Sequence, residues 1–313
     1  RSVELTAEPD EGTFMTPASE GPMAVRLAWT TPERRQAVRE KAIQAARQAE
    51  AAVVFAYNEG TESVDRSSLR LPNRQDALIQ GVAAANPRTT VVLNTGDPVT
   101  MPWGDETGAV LQMWYPGQEG AAATAAVLTG ATTPSGKLPV TFPPREEDTP
   151  THPAERYPGV DGRAVYTDGI FVGYRWYDAE DIEPLFPFGH GLSYTSFAYS
   201  DLRIEPQGDG HRVRFRVRNT GERSGTEVAQ VYLGPPNNPP VAMAPKQLVG
   251  TQSVDLAPGD TATLTVDIDR RALSYWSTDA GAWRGAPGER PVHAGSSSRD
   301  LRLHGELLVD GSR

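Results

Sequence analysis

The chain has no cysteine in 313 residues, which excludes disulfides, thiolate nucleophiles and thiolate-bound zinc but leaves the redox compartment undecided. Its five histidines, His152, His190, His211, His293 and His304, share no ligand spacing, so no metal site is expected. No apolar run is long enough to span a bilayer, and no membrane partner is expected. No Gly-x-Gly-x-x-Gly joins a strand to a helix, so no nucleotide cofactor, or any other, is expected. Basic residues are the minority, 30 Lys and Arg against 40 Asp and Glu for a net charge of -10. That leaves no cationic stripe for nucleic acid and favours an uncharged partner. There is no internal repeat or low-complexity tract. The chain opens on Arg1, with neither a start methionine nor a signal peptide, and reads as a processed product, an expressed segment or a piece of something longer.

With 38% hydrophobic and 22% charged residues, the chain has the composition of an ordinary globular protein with room for about two domains. Residues 1–30 alternate weakly around a turn-rich middle (Val3, Leu5; Val25, Leu27, Trp29) and read as two strands without a sheet of their own. A helix is predicted from Thr31 as cap and Pro32 in the first turn, through Val38, Ala42, Ile43, Ala46 and Ala49. It leads into an apolar strand, Ala52 to Ala56. A second helix is predicted from Asn73 as cap, with Leu78, Ile79, Val82 and Ala85 on one face and a stop at Asn86-Pro87. Further strands are predicted at Val91 to Asn94, Ala109 to Trp114 and Leu138 to Phe142, with a helix over Ala121 to Leu128 closed by Gly130. Short, fully apolar strands alternating with helices imply a parallel sheet buried on both faces, a three-layer α/β sandwich.

Residues 143–187 are irregular and rich in Pro, Gly and aromatics, as expected of an arm wrapping the sandwich surface. From Phe197 the period becomes two (Val213, Phe215, Val217; Ala229, Val231, Leu233; Ala262, Leu264, Val266, Ile268; Leu301, Leu303), broken by Asn219-Thr220-Gly221, Pro235 to Pro240 and Pro258-Gly259-Asp260. This pattern predicts an all-β sandwich. The fold class is therefore α/β plus all-β, divided into a tail over 1–30, an α/β domain over 31–196 and a β-sandwich over 197–313.

The candidate chemistry lies in the stretch Glu59 to Pro72, a carboxylate-rich loop leaving the first strand. Such loops are where α/β proteins place functional groups, and a carboxyl group of Glu59, Glu62 or Asp65 would serve as a general acid/base. Asp65 and Arg66 are expected to pair with each other and fix the loop's exit. Tyr57 and Asn58, at the strand end, are within reach of the same site. Taken alone, an acidic loop reads as solvated surface, and its context decides otherwise.

The segment Glu62 to Pro72 resembles the Glu-Gly-x-Asp-Arg-x-x-Leu-x-Leu-Pro stretch of glycoside hydrolase family 3, the β-glucosidases and β-xylosidases. In that family's order follow Gln75-Asp76-Ala77-Leu78-Ile79, Val91 to Gly96, Trp114-Tyr115-Pro116-Gly117-Gln118-Glu119-Gly120, Pro134 to Pro143, Gly169 to Asp178 and Phe186 to Thr195. The resemblance spans about Ala51 to Thr195, and the β-rich remainder fits the family's fibronectin type III-like domain. It implies the C-terminal part of a retaining exo-β-glycosidase acting on terminal β-linked sugars, most simply glucose. Residues 1–30 would be the tail of an inserted β-sandwich. The nucleophilic aspartate would belong to a barrel that nothing here resembles, in a preceding segment or companion chain. By distance to Asp65-Arg66, the family's acid/base glutamate falls on Glu62. There Ser63 replaces the usual glycine, whereas Glu59 keeps Gly60, so Glu59 stays open as the alternative. If Glu62 is the acid/base, Glu59 and Asn58 are expected to bind substrate hydroxyls. His190, in Phe188-Gly189-His190-Gly191, is expected to pack rather than react. Trp103, Trp114 and Trp176 are candidates for sugar stacking, although tryptophans at such positions usually belong to a core. An extracellular location is expected, with a cytoplasmic one left open. The competing reading is a carbohydrate-binding or scaffolding module that kept the fold and lost the chemistry.

Overall fold

The structure, a computed structural model, describes residues 31–58, 60 and 65–310. The tail expected over 1–30 lies outside them. Contacts group the chain into two compact units, Arg1–Ala42 and Ile43–Arg313. The second holds both the α/β layers and the β-sandwich.

Helix α1 (Pro32–Gln48) begins as the sequence predicts, with the Arg34 amide donating to Thr31 Oγ1 at 3.2 Å. It buries only Ala46, with Ile43 partly covered. Strands β1 (Ala52–Tyr57) and β2 (Thr89–Asn94) flank helix α2 (Gln75–Ala85), and β3 (Ala109–Gln112) follows. The three strands form a parallel sheet in the order β1-β2-β3, with Val54 opposite Val91 and Val92 opposite Leu111. Ile79 and Val82 of α2 join Val54, Ala56, Val91 and Leu93 in one core. Asn86, just past α2, closes the layer: its Nδ2 donates to the carbonyls of Ala46 and Ala49, capping the free end of α1.

The strands differ in burial. Val91, Val92 and Leu93 are inaccessible, whereas β1 alternates, leaving Val53, Phe55 and Tyr57 about half exposed on one face. Helix α3 (Gly120–Leu128) is apolar along its length yet buries only Gly120 and Thr124. Among the described residues, one face of β1 is thus left half uncovered.

Two predicted local features fail for stated reasons. Asn73 does not cap α2: it and Arg74 take left-handed conformations (φ 58° and 59°), and the helix begins at Gln75. The segment Leu138 to Phe142 is not a sheet strand, because Pro139 has no N–H to give to a ladder. It pairs instead with the returning arm, through Leu138 N to His190 O (2.8 Å), Gly189 N to Leu138 O (2.7 Å) and Phe142 N to Phe186 O (2.9 Å).

After a short helix α4 (Tyr174–Ala179) the β-rich part comprises β4 (Phe197–Gln207), β5 (Gly210–Asn219), β6 (Gly225–Leu233), β7 (Gln247–Leu256), β8 (Thr261–Ile268), β9 (Ser274–Ser277), β10 (Ala282–Gly285), β11 (Gly288–Gly295) and β12 (Leu301–Val309). Sheets β4-β5-β8 and β12-β11-β6-β7 enclose Val213, Phe215, Val217, Val231, Leu264 and Val292, and β10-β9 form a separate hairpin. The alternation read from the sequence is this core.

The arm ties the two architectures together. Tyr174 stacks on Phe188 (4.9 Å between centroids) and its hydroxyl accepts from the Leu248 amide at 2.7 Å. Asp178 meets Lys246 at 2.6 Å and Arg299 at 3.2 Å. Gly189 has φ 80°, and a Cβ there would stand 2.1 Å from Gln230 Oε1, so only glycine fits.

Candidate active site

The carboxylate-rich loop leaves β1 after Tyr57. Tyr57 is held as if by another strand: its amide donates to Gln75 Oε1 (2.9 Å) and its carbonyl accepts from Gln75 Nε2 (2.7 Å). The same Nε2 reaches Pro72 O at 3.0 Å, so one carboxamide links the strand end to the far side of the loop. The neighbouring Asp76 accepts from Trp103 Nε1 at 2.8 Å. Burial raises the Asp76 carboxyl pKa, against the lowering effects of that hydrogen bond and of Arg70.

Asn58 comes next and is buried. Its Oδ1 accepts from the Gly96 amide (3.1 Å) and from the Tyr115 hydroxyl (2.9 Å), while Nδ2 has no hydrogen-bond partner among the described residues. Glu59 and Glu62 lie outside the described residues. On the far side Asp65 is exposed and the expected Asp65–Arg66 pair is not formed. Arg66 instead donates to Arg70 O at 2.9 Å and faces Asp97 at 3.9 Å, and its own carbonyl accepts from Tyr157 Oη at 3.2 Å. A guanidinium with five donors reaches a backbone carbonyl and a neighbouring loop more readily than the residue beside it, whose side chain is directed elsewhere.

The loop is therefore hydrogen-bonded at Asn58 to Gly96 of the turn that follows β2, and Arg66 on its far side faces Asp97 of the same turn. Farther along, Glu146 accepts from Ser68 Oγ and the Leu69 amide. Burial pushes its carboxyl up, but these hydrogen bonds and the charge of Arg70 outweigh it and leave the pKa below the usual value.

Sequence reasoning missed Gln75, Gly96, Asp97 and Tyr115. Their motifs are visible in the sequence, but long-range side-chain pairing carries no local signal. The remaining aromatic candidates differ in packing. Trp103 is fully buried and so is withdrawn as a sugar platform, and Trp114 sits against Phe142 with ring centroids 6.2 Å apart. Trp176 lies edge-on to Tyr177 at 5.0 Å. His190 stacks on Phe186 at 5.3 Å, and burial lowers its pKa, with Lys137 adding to the effect. Among the described residues no group of three His, Cys, Asp or Glu side chains is arranged to hold a metal, and no helix is long and apolar enough to cross a membrane.

Comparison with known proteins shows the family. Residues 10–194 match the glycosyl hydrolase family 3 C-terminal domain and residues 227–298 the fibronectin type III-like domain. A β-glucosidase of Rhizobium radiobacter is 42% identical over 270 residues, covering 84% of this chain and 33% of the relative. A thermostable β-glucosidase B of Acetivibrio thermocellus is 39% identical over 281 residues, 87% of this chain and 37% of the relative. The crystal structure of DesR, a β-glucosidase from Streptomyces venezuelae in complex with D-glucose, superposes with a TM-score of 0.87 at 50% identity, over 90% of this chain and 36% of that one. The chain thus spans about a third of the length of these relatives. The family domain alone accounts for more than half of it, and the chain belongs to glycoside hydrolase family 3, carrying that family's C-terminal α/β domain and the fibronectin type III-like domain beyond it.

Proposed function

We propose that this chain supplies the general acid/base of a retaining exo-β-glucosidase whose nucleophile comes from a barrel in another part of the same enzyme. The observation that carries the reading is the loop between Asn58 and Arg66, whose sequence holds Glu59 and Glu62: it is hydrogen-bonded at Asn58 to the turn after β2, and at its far side the Arg66 guanidinium faces Asp97 of the same turn at 3.9 Å. A general acid must be held within hydrogen-bonding reach of the leaving oxygen, and a loop anchored at Asn58 favours that.

In this reading Glu62 protonates the glycosidic oxygen while an aspartate attacks the anomeric carbon, forming a glycosyl-enzyme. Glu62, now a carboxylate, then takes a proton from the water that releases the sugar. Glu59 accepts from a sugar hydroxyl, and Asn58 Nδ2, already buried and unpartnered among the described residues, donates to one. Terminal β-linked glucose is the substrate suggested by the names of the relatives, and the enzyme works outside the cell.

The face of β1 left half exposed among the described residues supports the partnership. Val53, Phe55 and Tyr57 are the apolar half of a layer that needs covering, and the preceding part of the enzyme is its occupant. The test is activity: residues 1–313 alone are expected to leave aryl β-glucosides intact, because retention needs a second carboxylate about 5–5.5 Å from the first. Joined to the barrel portion, they are expected to hydrolyse them. Turnover by the rigorously purified chain alone would overturn the division of labour. Sugar binding without turnover by the joined protein would favour the module that lost its chemistry.

A further inference from the structure

Tyr115 occupies a position that its packing alone does not require. Its ring is about half exposed, yet its hydroxyl points inward to Asn58, 2.9 Å from Oδ1 and 3.4 Å from the carbonyl oxygen. Two glycines make room for it. A Cβ on Gly60 would stand 2.8 Å from the Tyr115 hydroxyl, and a Cβ on Gly96 would stand 2.6 Å from Cε2 of the ring. Neither glycine has a φ in the left-handed range, so the demand at both is for space rather than for backbone freedom. One phenol thus lies against the two residues that flank Glu59 in sequence and against the turn to which the loop is tied.

We propose that Tyr115 is a positioning residue of the acid/base loop, its hydroxyl fixing Asn58 and the backbone at Gly60 so that the loop's carboxyl group meets the leaving oxygen. This rests on the acid/base reading above and adds to it the group that sets the loop's register. The ring supplies bulk and the hydroxyl supplies direction. Removing the hydroxyl keeps the wedge, lets Asn58 turn, and loosens the alignment on which proton transfer depends.

The experiment uses the full-length enzyme and a series of aryl β-glucosides of graded leaving-group pKa. Tyr115→Phe is expected to lower kcat for the poorest leaving groups about ten-fold, a part of what general-acid catalysis contributes. A dinitrophenyl glucoside, which departs without protonation, should lose distinctly less, because there only the Asn58 contact to the sugar is disturbed. Gly96→Ala, which pushes on the ring from the other side, is expected to steepen the leaving-group dependence in the same way. A Tyr115→Phe enzyme with the wild-type slope, or with equal losses on every substrate, overturns the proposal. Glu62→Ala and Glu59→Ala measured alongside separate the two failures. If one of them steepens the slope and Tyr115→Phe does not, only the positioning role falls. If none of the variants does, the acid/base reading falls and takes the positioning role with it.

Discussion

Lys137 Nζ lies 3.2 Å from the carboxylate of Glu227, joining the segment after α3 to strand β6, with both side chains almost out of solvent at 13% and 6% exposure. Tyr199 donates its hydroxyl to the same carboxylate at 2.9 Å. The lysine belongs to the stretch Pro134 to Pro143 that carries part of the family resemblance, yet its role is to join two architectures.

Replacing Lys137 by Met removes the cation and leaves a buried carboxylate facing an apolar chain, which costs about 3 kcal/mol when one partner of a buried pair is lost. Unfolding of Lys137→Met in urea should therefore begin at a lower midpoint with an unchanged slope. The double variant Lys137→Met/Glu227→Gln should recover most of the loss, since no uncompensated charge remains. A single variant as stable as wild type would mean that the pair contributes nothing to the junction.

A pH dependence follows from Glu146, whose folded-state pKa lies below the ordinary carboxyl value near 4.5. A group lowered on folding adds stability that is fully present above its unfolded pKa and lost as pH falls through the folded one. The stability difference between wild type and Glu146→Gln should accordingly be constant near neutrality and shrink below about pH 4.5. Because Glu146 holds Ser68 and Leu69, proteolysis between Arg66 and Arg70 should accelerate over the same range. Denaturation and limited-proteolysis rates measured at several pH values check both, and a difference independent of pH down to 3 would show that the carboxylate is not a stabilising acceptor.

The face of β1 that carries Val53, Phe55 and Tyr57 gives a third expectation. Apolar side chains left uncovered in a group bind partners or aggregate. Residues 1–313 alone should bind a hydrophobic dye and self-associate, and the full-length enzyme should do neither. Val53→Thr/Phe55→Thr should reduce the dye signal of the isolated chain. A monomeric isolated chain without dye binding would show that this face needs no cover.

What the sequence revealed was periodicity. The alternation Val213, Phe215, Val217 argues for a strand with one buried face, and the short run Val91, Val92, Leu93, bounded by Pro87 and Gly96, is consistent with a strand buried on both. Side-chain substitutes for backbone pairing stayed hidden. Gln75 completes the ladder at Tyr57 from 18 residues away, and nothing in a helix beginning Gln-Asp announces it. Asn73 misled because asparagine suits both a helix cap and a left-handed turn, and Pro72 before it settled the choice for the turn. The acidic loop was legible as a candidate. The contacts at its two ends, the hydrogen bond of Asn58 to Gly96 and the approach of Arg66 to Asp97, were not.

The assignment of Glu62 over Glu59 is tested by chemistry that distinguishes a proton donor from a sugar ligand. A general acid matters most when the leaving group is poor, because a good one departs unprotonated. In the full-length enzyme, Glu62→Ala should cripple cleavage of natural β-glucosides by about a hundred-fold or more while leaving formation of the glycosyl-enzyme from a dinitrophenyl glucoside far less affected. The same group serves as base in the second step, so release of the glycosyl-enzyme should then become limiting, and azide, which needs no deprotonation, should rescue it as the glycosyl azide. Glu59→Ala should lower activity on every substrate by a similar factor, since a lost contact to a sugar hydroxyl does not depend on the leaving group, and azide should do nothing for it. The measurement is the dependence of glycosylation rate on leaving-group pKa in each variant, together with product analysis in azide. A steepened dependence and glycosyl azide appearing with Glu59→Ala, beside a Glu62→Ala enzyme close to wild type, would exchange the two roles and put the acid/base next in sequence to Asn58, the residue that the Tyr115 hydroxyl holds.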